Sequence, residues 1–244
     1  MGPVLEDLQP PSYNAAEDTG ATRRATRGRA TTQMRLLLIR HGESEHEVRR
    51  IIAEKHCPGL TPRGWKQAEL LAERLAATWE VSECQRLLCS PAQCALETAE
   101  TLAGTLAIGS IDQDFDLCEL HPGDADGLSF EAYQSAYGGF DLLSSPERPF
   151  APGGESWQIF RERVRVTLDR LASAFAGETV VVVTHAGFIA ASLLVLFAIP
   201  FPGTGARFDP EYTSLTEWRE ADHSWQLVRY NDTAHLSQLG LDDA

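Results

Sequence analysis

The sequence predicts an α/β fold: a three-layer α/β/α sandwich with a mainly parallel sheet, helices on both faces and a small cap excursion over one edge. Three observations carry that prediction. The runs Leu36–Ile39 and Val180–Val183 are continuously apolar, as strands buried on both faces are. Stretches with helical apolar spacing alternate with such runs, the pattern of a parallel sheet with crossover helices. Both runs end in a histidine followed by a glycine, in Arg40-His41-Gly42-Glu43-Ser44 and in Thr184-His185-Ala186-Gly187. In an open α/β sheet, ligands bind outside the carboxyl ends of the strands.

The elements follow in order. A strand is predicted over 35–40. Thr61-Pro62 then offers a cap and a proline at the first helical position, and Trp65, Ala68, Leu71, Ala72, Leu75 and Trp79 mark one apolar helical face. A strand over 86–89 ends at Ser90-Pro91, which reads as a second cap with Gln93 completing a capping box, and a helix runs to about 106. Strand signals follow near 108–111 and 115–118. Residues 119–155 hold glycine, proline, aspartate and aromatic residues with one short helix, about 129–137. They read as an excursion over the strand ends, where specificity resides. Trp157, Phe160, Val164, Leu168, Leu171 and Phe175 mark an amphipathic helix. A strand over 179–184, a helix over 186–197 and an edge hairpin near 213–219 and 224–230 complete the domain, expected over 34–240.

Residues 1–33 lack apolar periodicity and read as a disordered tail. Met34 opens the first strand and is an alternative start of translation. The tail also lacks the apolar core of a signal peptide. The apolar stretch Ala186–Phe201, broken by Pro200, is too short to span a bilayer.

The net charge of −14 argues against nucleic acid or anionic membrane as a partner and makes any phosphate site a local basic pocket. The five cysteines (57, 84, 89, 94 and 118) form no CxxC pair. Neither a disulfide framework nor a zinc site is expected, and a reducing cytoplasm fits.

The chemistry lies at the strand ends. A neutral imidazole with one nitrogen hydrogen-bonded attacks phosphorus through the other. The guanidinium of Arg40 forks onto phosphate oxygens, and His185 stabilises charge on the same group. Glu119, opening the excursion, is the candidate acid, its pKa raised by partial burial. His46, five residues after His41, could reach a leaving group, with solvent exposure the simpler reading; His56, His223 and His235 read as surface or structural residues. Trp157, Phe130, Tyr133 and Tyr137 are candidates for an aromatic cavity wall, with ordinary packing as the simpler reading.

The chain resembles the histidine phosphatase superfamily, which includes cofactor-dependent phosphoglycerate mutases. The resemblance rests on Arg40-His41-Gly42-Glu43-Ser44, Gly59-Leu60-Thr61-Pro62-Arg63-Gly64, Ser90-Pro91 with Thr98-Ala99, Leu117-Cys118-Glu119 with Asp126-Gly127-Leu128, Gly153-Gly154-Glu155-Ser156 and Thr184-His185-Ala186-Gly187, in that order. It implies a metal-independent, cofactor-free phosphatase acting on a small phosphomonoester. His41 becomes a phosphohistidine, Glu119 protonates the leaving group and then activates water, and Arg40 and His185 hold the phosphoryl oxygens. Ser44, Glu47, Arg50, Cys94, His121 and Ala186 are the implied substrate-binding positions.

Two departures stand out. The family pattern has a second phosphate-binding arginine where this chain has Cys94, and an asparagine where it has Glu47. Losing one charged clamp costs on the order of 10²–10³ in rate. Arg49 or Arg50 is the candidate replacement. The competing readings are altered or mutase chemistry in a metabolic tailoring step, and a non-catalytic ligand-binding relative. The shorter, compact excursion favours hydrolysis over a mutase.

Overall fold

The computed structural model describes residues 33–78, 80–81, 83–139, 145–200 and 207–239. The predicted tail, apart from Gln33, and Trp79 lie outside the described residues. The strands are β1 (Met34–Arg40), β2 (Cys84–Cys89), β3 (Asp112–Gln113), β4 (Thr179–Thr184), β5 (Leu215–Ala221) and β6 (Ser224–Asp232). The helices are α1 (Glu45–Val48), α2 (Pro62–Thr78), α3 (Gln93–Leu106), α4 (Phe130–Tyr137), α5 (Trp157–Ala174) and α6 (Ala186–Leu196). The strands form one sheet in the order β3-β2-β4-β1-β5-β6. Strands β1 to β4 run parallel, and β5 is antiparallel to both β1 and β6. The predicted mainly parallel sheet is therefore present.

The continuous apolar runs have the predicted cause. Alternate residues of one strand enter two different cores. Leu36 and Leu38 of β1, with Val180 and Val182 of β4, pack with Phe160, Val164 and Leu168 of α5 and Phe188 of α6. Leu37 and Ile39, with Val181 and Val183, pack with Leu71 and Leu75 of α2 and Ala99 and Leu102 of α3. All eight of these strand residues are fully buried, each contributing on the order of 1.5–3 kcal/mol. Helices thus cover both faces.

Thr61 caps α2 as predicted, its Oγ1 accepting from the Gly64 N–H at 2.9 Å. Ser156 caps α5 and Ser129 caps α4 in the same manner. Three local predictions fail. Helix α3 starts at Gln93 with Ala92 as its uncapped N-cap, so Ser90 is free for another task. The strand near 108–111 is only the two-residue β3, and 115–118 is a 3₁₀ turn begun by Asp114, whose carboxylate accepts from the Asp116 N–H. Trp65 is exposed, and Leu70 joins the buried face of α2 instead. No helix among the described residues is long and apolar enough to cross a membrane.

Candidate active site

The register of β1 and β4 builds the site. Arg40 pairs with Thr184, so His41 and His185 leave neighbouring strands side by side. The His41 N–H donates to the Thr184 carbonyl at 2.9 Å. The two rings lie edge to face with centroids 5.0 Å apart. The turn after His41 needs glycine for a steric reason: a Cβ at Gly42 would lie 2.5 Å from the Gly64 carbonyl oxygen.

His41 is buried, and its Nδ1 lies 2.7 Å from the Gly42 carbonyl oxygen. A carbonyl only accepts, so Nδ1 carries the proton and the neutral ring keeps its lone pair on Nε2. Burial lowers the His41 pKa; Glu47 opposes that effect and Arg40 reinforces it. His185 is held well below the ordinary imidazole range, first by burial and then by His41 and His46. Its Nε2 shares a 2.8 Å hydrogen bond with Ser90 Oγ.

Arg40 donates to the Pro210 carbonyl at 2.8 Å and to Glu47 Oε1 at 2.8 Å, and its guanidinium lies 3.9 Å from the ring centroid of Tyr212. Its Nε is buried without a partner. Glu47 also accepts from Ser44 Oγ at 2.6 Å. Despite the cost of burial, His41 and Arg40 lower the Glu47 pKa to about 2. A carboxylate therefore stands beside Arg40 and His41.

Glu119 hangs between two backbone donors, the Leu120 N–H at 2.9 Å and the Gly187 N–H at 2.7 Å. Gly187 makes this approach possible, since a Cβ there would lie 2.0 Å from Glu119 Oε1. Burial outweighs both donors and raises the Glu119 pKa. Arg163 of α5 anchors the base of the excursion, donating to the carbonyls of Asp116, Cys118 and Glu119 and to both oxygens of Glu155.

A cavity of about 290 Å³ opens over this edge. His46, Glu47, Glu119 and His185 form its polar wall, and Ile51, Ile52, Ala53, Leu120, Phe130, Phe150 and Trp157 its apolar wall. His41 is not among the lining residues; its ring stands 5.0 Å from that of His185, which is. A larger depression of about 650 Å³ beside Pro146, Arg161, Arg165 and Val195 contains none of the strand-end residues.

The remaining predicted positions divide. Glu47 pairs with Arg40, and Ser44 donates to it. Arg49 is exposed and paired with Glu45, and Arg50 is exposed, so neither lines the cavity to replace the missing arginine. Ala186 opens α6 but does not line the cavity. His121 stacks on Phe115 and lies 2.9 Å from Glu54, a cavity residue. Cys94 is fully buried, its backbone N–H directed at Cys57 Sγ, 3.4 Å away. Cys57 Sγ is 3.4 Å from Nδ1 of His46. Hydrogen bonding between the thiols lowers the pKa of Cys57 and raises that of Cys94. Trp157 and Phe130 line the cavity, whereas Tyr133 and Tyr137 pack in a separate cluster with Ile52 and Ala151.

The solvent-exposed reading of His46 fails, since it is buried and lines the cavity, and sequence reasoning missed Ser90, Cys57, Tyr212 and Arg163. The Ser-Pro pair concealed Ser90 by resembling a helix cap. Glu155, in the Gly-Gly-Glu-Ser block, was the available pointer to Arg163.

Among relatives, the chain is 35% identical over 159 residues to a protein of Mycobacterium tuberculosis described as bifunctional, covering 65% of this chain and 43% of that one. It thus spans under half the length of that relative. It is 28% identical to a metal-independent phosphoserine phosphatase of Arabidopsis thaliana, with 84% of each chain covered. Its fold matches a phosphoserine phosphatase of Entamoeba histolytica solved with 3-phosphoglyceric acid: TM-score 0.70, 27% identity, 83% of this chain and 99% of that one. The family model of the histidine phosphatase superfamily (branch 1) matches residues 36–233. Taken with the paired strand-end histidines, that match makes the chain a member of the histidine phosphatase superfamily, an enzyme family of phosphatase and mutase type.

Proposed function

We propose that the protein is a phosphatase that hydrolyses a small phosphomonoester through a phosphohistidine on His41. The observation that carries this reading is the His41 tautomer: Nδ1–H is tied to the Gly42 carbonyl, leaving the Nε2 lone pair as nucleophile. Nε2 attacks phosphorus, and the P–O bond to the leaving group breaks. Glu119, protonated because burial raises its pKa, delivers its proton to the departing alkoxide. The resulting carboxylate takes a proton from water, which attacks the phosphohistidine and releases phosphate and free His41. Arg40 and His185 hold the non-bridging oxygens.

For a dianionic phosphoryl group to take Arg40, the Glu47 carboxylate must leave it. With Cys94 in place of a guanidinium, this makes the enzyme slow with ordinary substrates. Among the described residues the cavity lining includes no lysine or arginine. That wall suits an uncharged, largely apolar leaving group. A mutase needs cationic groups for a second phosphate or carboxylate, and the same wall disfavours that reading.

Phosphate release across a panel of monoesters tests the proposal. Aryl and apolar alkyl phosphates are expected to turn over faster than phosphoserine or 3-phosphoglycerate, with release abolished in His41→Ala. Undiminished release from that variant, or no release from any monoester, contradicts it.

A further inference from the structure

We propose that His46, Cys57 and Cys94 form a site for a soft divalent cation of the zinc class at the wall of the same cavity. One donor atom from each residue lies within 4.8 Å of the other two, and all three residues are buried. Tetrahedral zinc with Zn–S of about 2.3 Å and Zn–N of about 2.0–2.1 Å holds its nitrogen and sulfur ligands about 3.6 Å apart. Nδ1 of His46 and Sγ of Cys57 are 3.4 Å apart, already at ligand spacing. Closing Cys94 onto the same centre needs a shift of about 1 Å or less.

The donors come from three different segments, α1, the loop before α2 and the first turn of α3, so the surrounding fold holds them together. Leu60 and Ala92 pack against the thiols. The Cys94 N–H directed at Cys57 Sγ is the kind of backbone donor that orients a metal-bound thiolate. Binding leaves both cysteines as thiolates, and any thiol proton they carried is released to solvent.

Three protein ligands leave a fourth position open, the pattern of a zinc site that binds substrate or water. His46 and Ala92 line the cavity, and the His46 ring centroid is 6.5 Å from that of His41. An ion there can therefore take an oxygen from the cavity beside the nucleophile. If the pocket is a phosphoryl site, as proposed above, this Lewis acid stands where the missing guanidinium would. The binding itself does not depend on that reading.

Cys94 also forms a triad with His41 and His185. That alternative has only one thiol, and His185 Nε2 already has Ser90 as a partner.

Titrating the reduced, metal-stripped full chain with Co²⁺ separates the two triads. One ion per chain is expected, with a sulfur-to-cobalt charge-transfer absorption displaced by Zn²⁺. Cys57→Ser and Cys94→Ser should each weaken binding by at least about a hundredfold, while His185→Ala binds as the parent does; circular dichroism checks that each variant is folded. No charge-transfer band, or a band kept in Cys57→Ser and lost in His185→Ala, overturns the assignment. Because the readout is absorbance rather than turnover, cobalt binding without hydrolysis of any monoester would sink the phosphatase reading alone. Labelling of His41 without cobalt binding would sink this site alone.

Discussion

Strand β1 has an arginine near each end, and the two are treated differently. Arg35 donates to both oxygens of Glu217, at 2.7 and 3.3 Å, and to the Glu80 carbonyl. Glu217, almost wholly buried, is also 3.0 Å from Arg229, whose partners Glu80 and Asp232 bind Arg74 as well. Arg40 instead holds one carboxylate and one carbonyl, stacks on Tyr212 and keeps its Nε unpaired. The first cluster joins the sheet edge to α2 as a network in which each carboxylate has an arginine partner. Both keep a buried donor without a hydrogen-bond partner, Arg229 Nε in the first and Arg40 Nε in the second, but the second adds two imidazoles with lowered pKa and a carboxylate at a cavity wall. The difference lies in where they stand: the first joins packed elements, and the second borders a cavity.

Variants can sharpen or break that comparison, and the largest effects belong to the site. Glu119→Gln should slow alkyl phosphate hydrolysis by about 10²–10⁴. An aryl ester with a good leaving group should be affected far less in its first step. Equal losses for both would remove Glu119 as the acid. Arg40→Ala should cost on the order of 10²–10³ in kcat/KM.

In the opposite direction, Cys94→Arg and Glu47→Asn, assayed with a chelator present, should each raise kcat/KM by about tenfold or more. A fall in both would mean that the acid and the thiol serve the reaction rather than attenuate it. At the other end of β1, Glu217→Ala leaves Arg35 and Arg229 without their buried partner. It should cost about 3 kcal/mol, near the lower bound for a buried pair because both arginines are partly exposed. Thermal unfolding should then shift down by roughly 6–12 °C with turnover preserved.

The smallest effect is on the pH profile. His41 must be neutral, and its pKa lies below 6.5, so activity rises as pH increases through it. Glu119 must be protonated, and its pKa lies above 4.5, so activity falls as pH increases through that value. The kcat/KM profile should be bell-shaped, and Glu119→Gln should flatten its alkaline limb. An unchanged alkaline limb would assign it to another group.

The sheet and both histidine-bearing strand ends were legible because fully buried strands have continuous apolar runs, and Leu36–Ile39 and Val180–Val183 have no competing helical spacing. Glu119 was legible only as the opening of an irregular segment; the donors that hold it, Leu120 and Gly187, meet through the fold. The Cys57–Cys94 contact joins residues 37 positions apart with no local pattern, so the cysteines read as separate thiols. His46 lies in the four-residue α1 among acidic residues, and its burial comes from the cavity wall and Cys57. The hairpin between β5 and β6 turns on Asp222 and His223, both at positive φ, a turn that the sequence did not mark with glycine or asparagine.

Trapping the covalent intermediate is the most direct test. Glu119→Gln, mixed with an aryl phosphate and quenched in base within one turnover, should carry an acid-labile phosphoryl group on the peptide containing His41. The label should be absent from the His41→Ala, Glu119→Gln double variant. No label, or label on the peptides of Cys57 or Cys94, would contradict the assignment of His41 as the nucleophile.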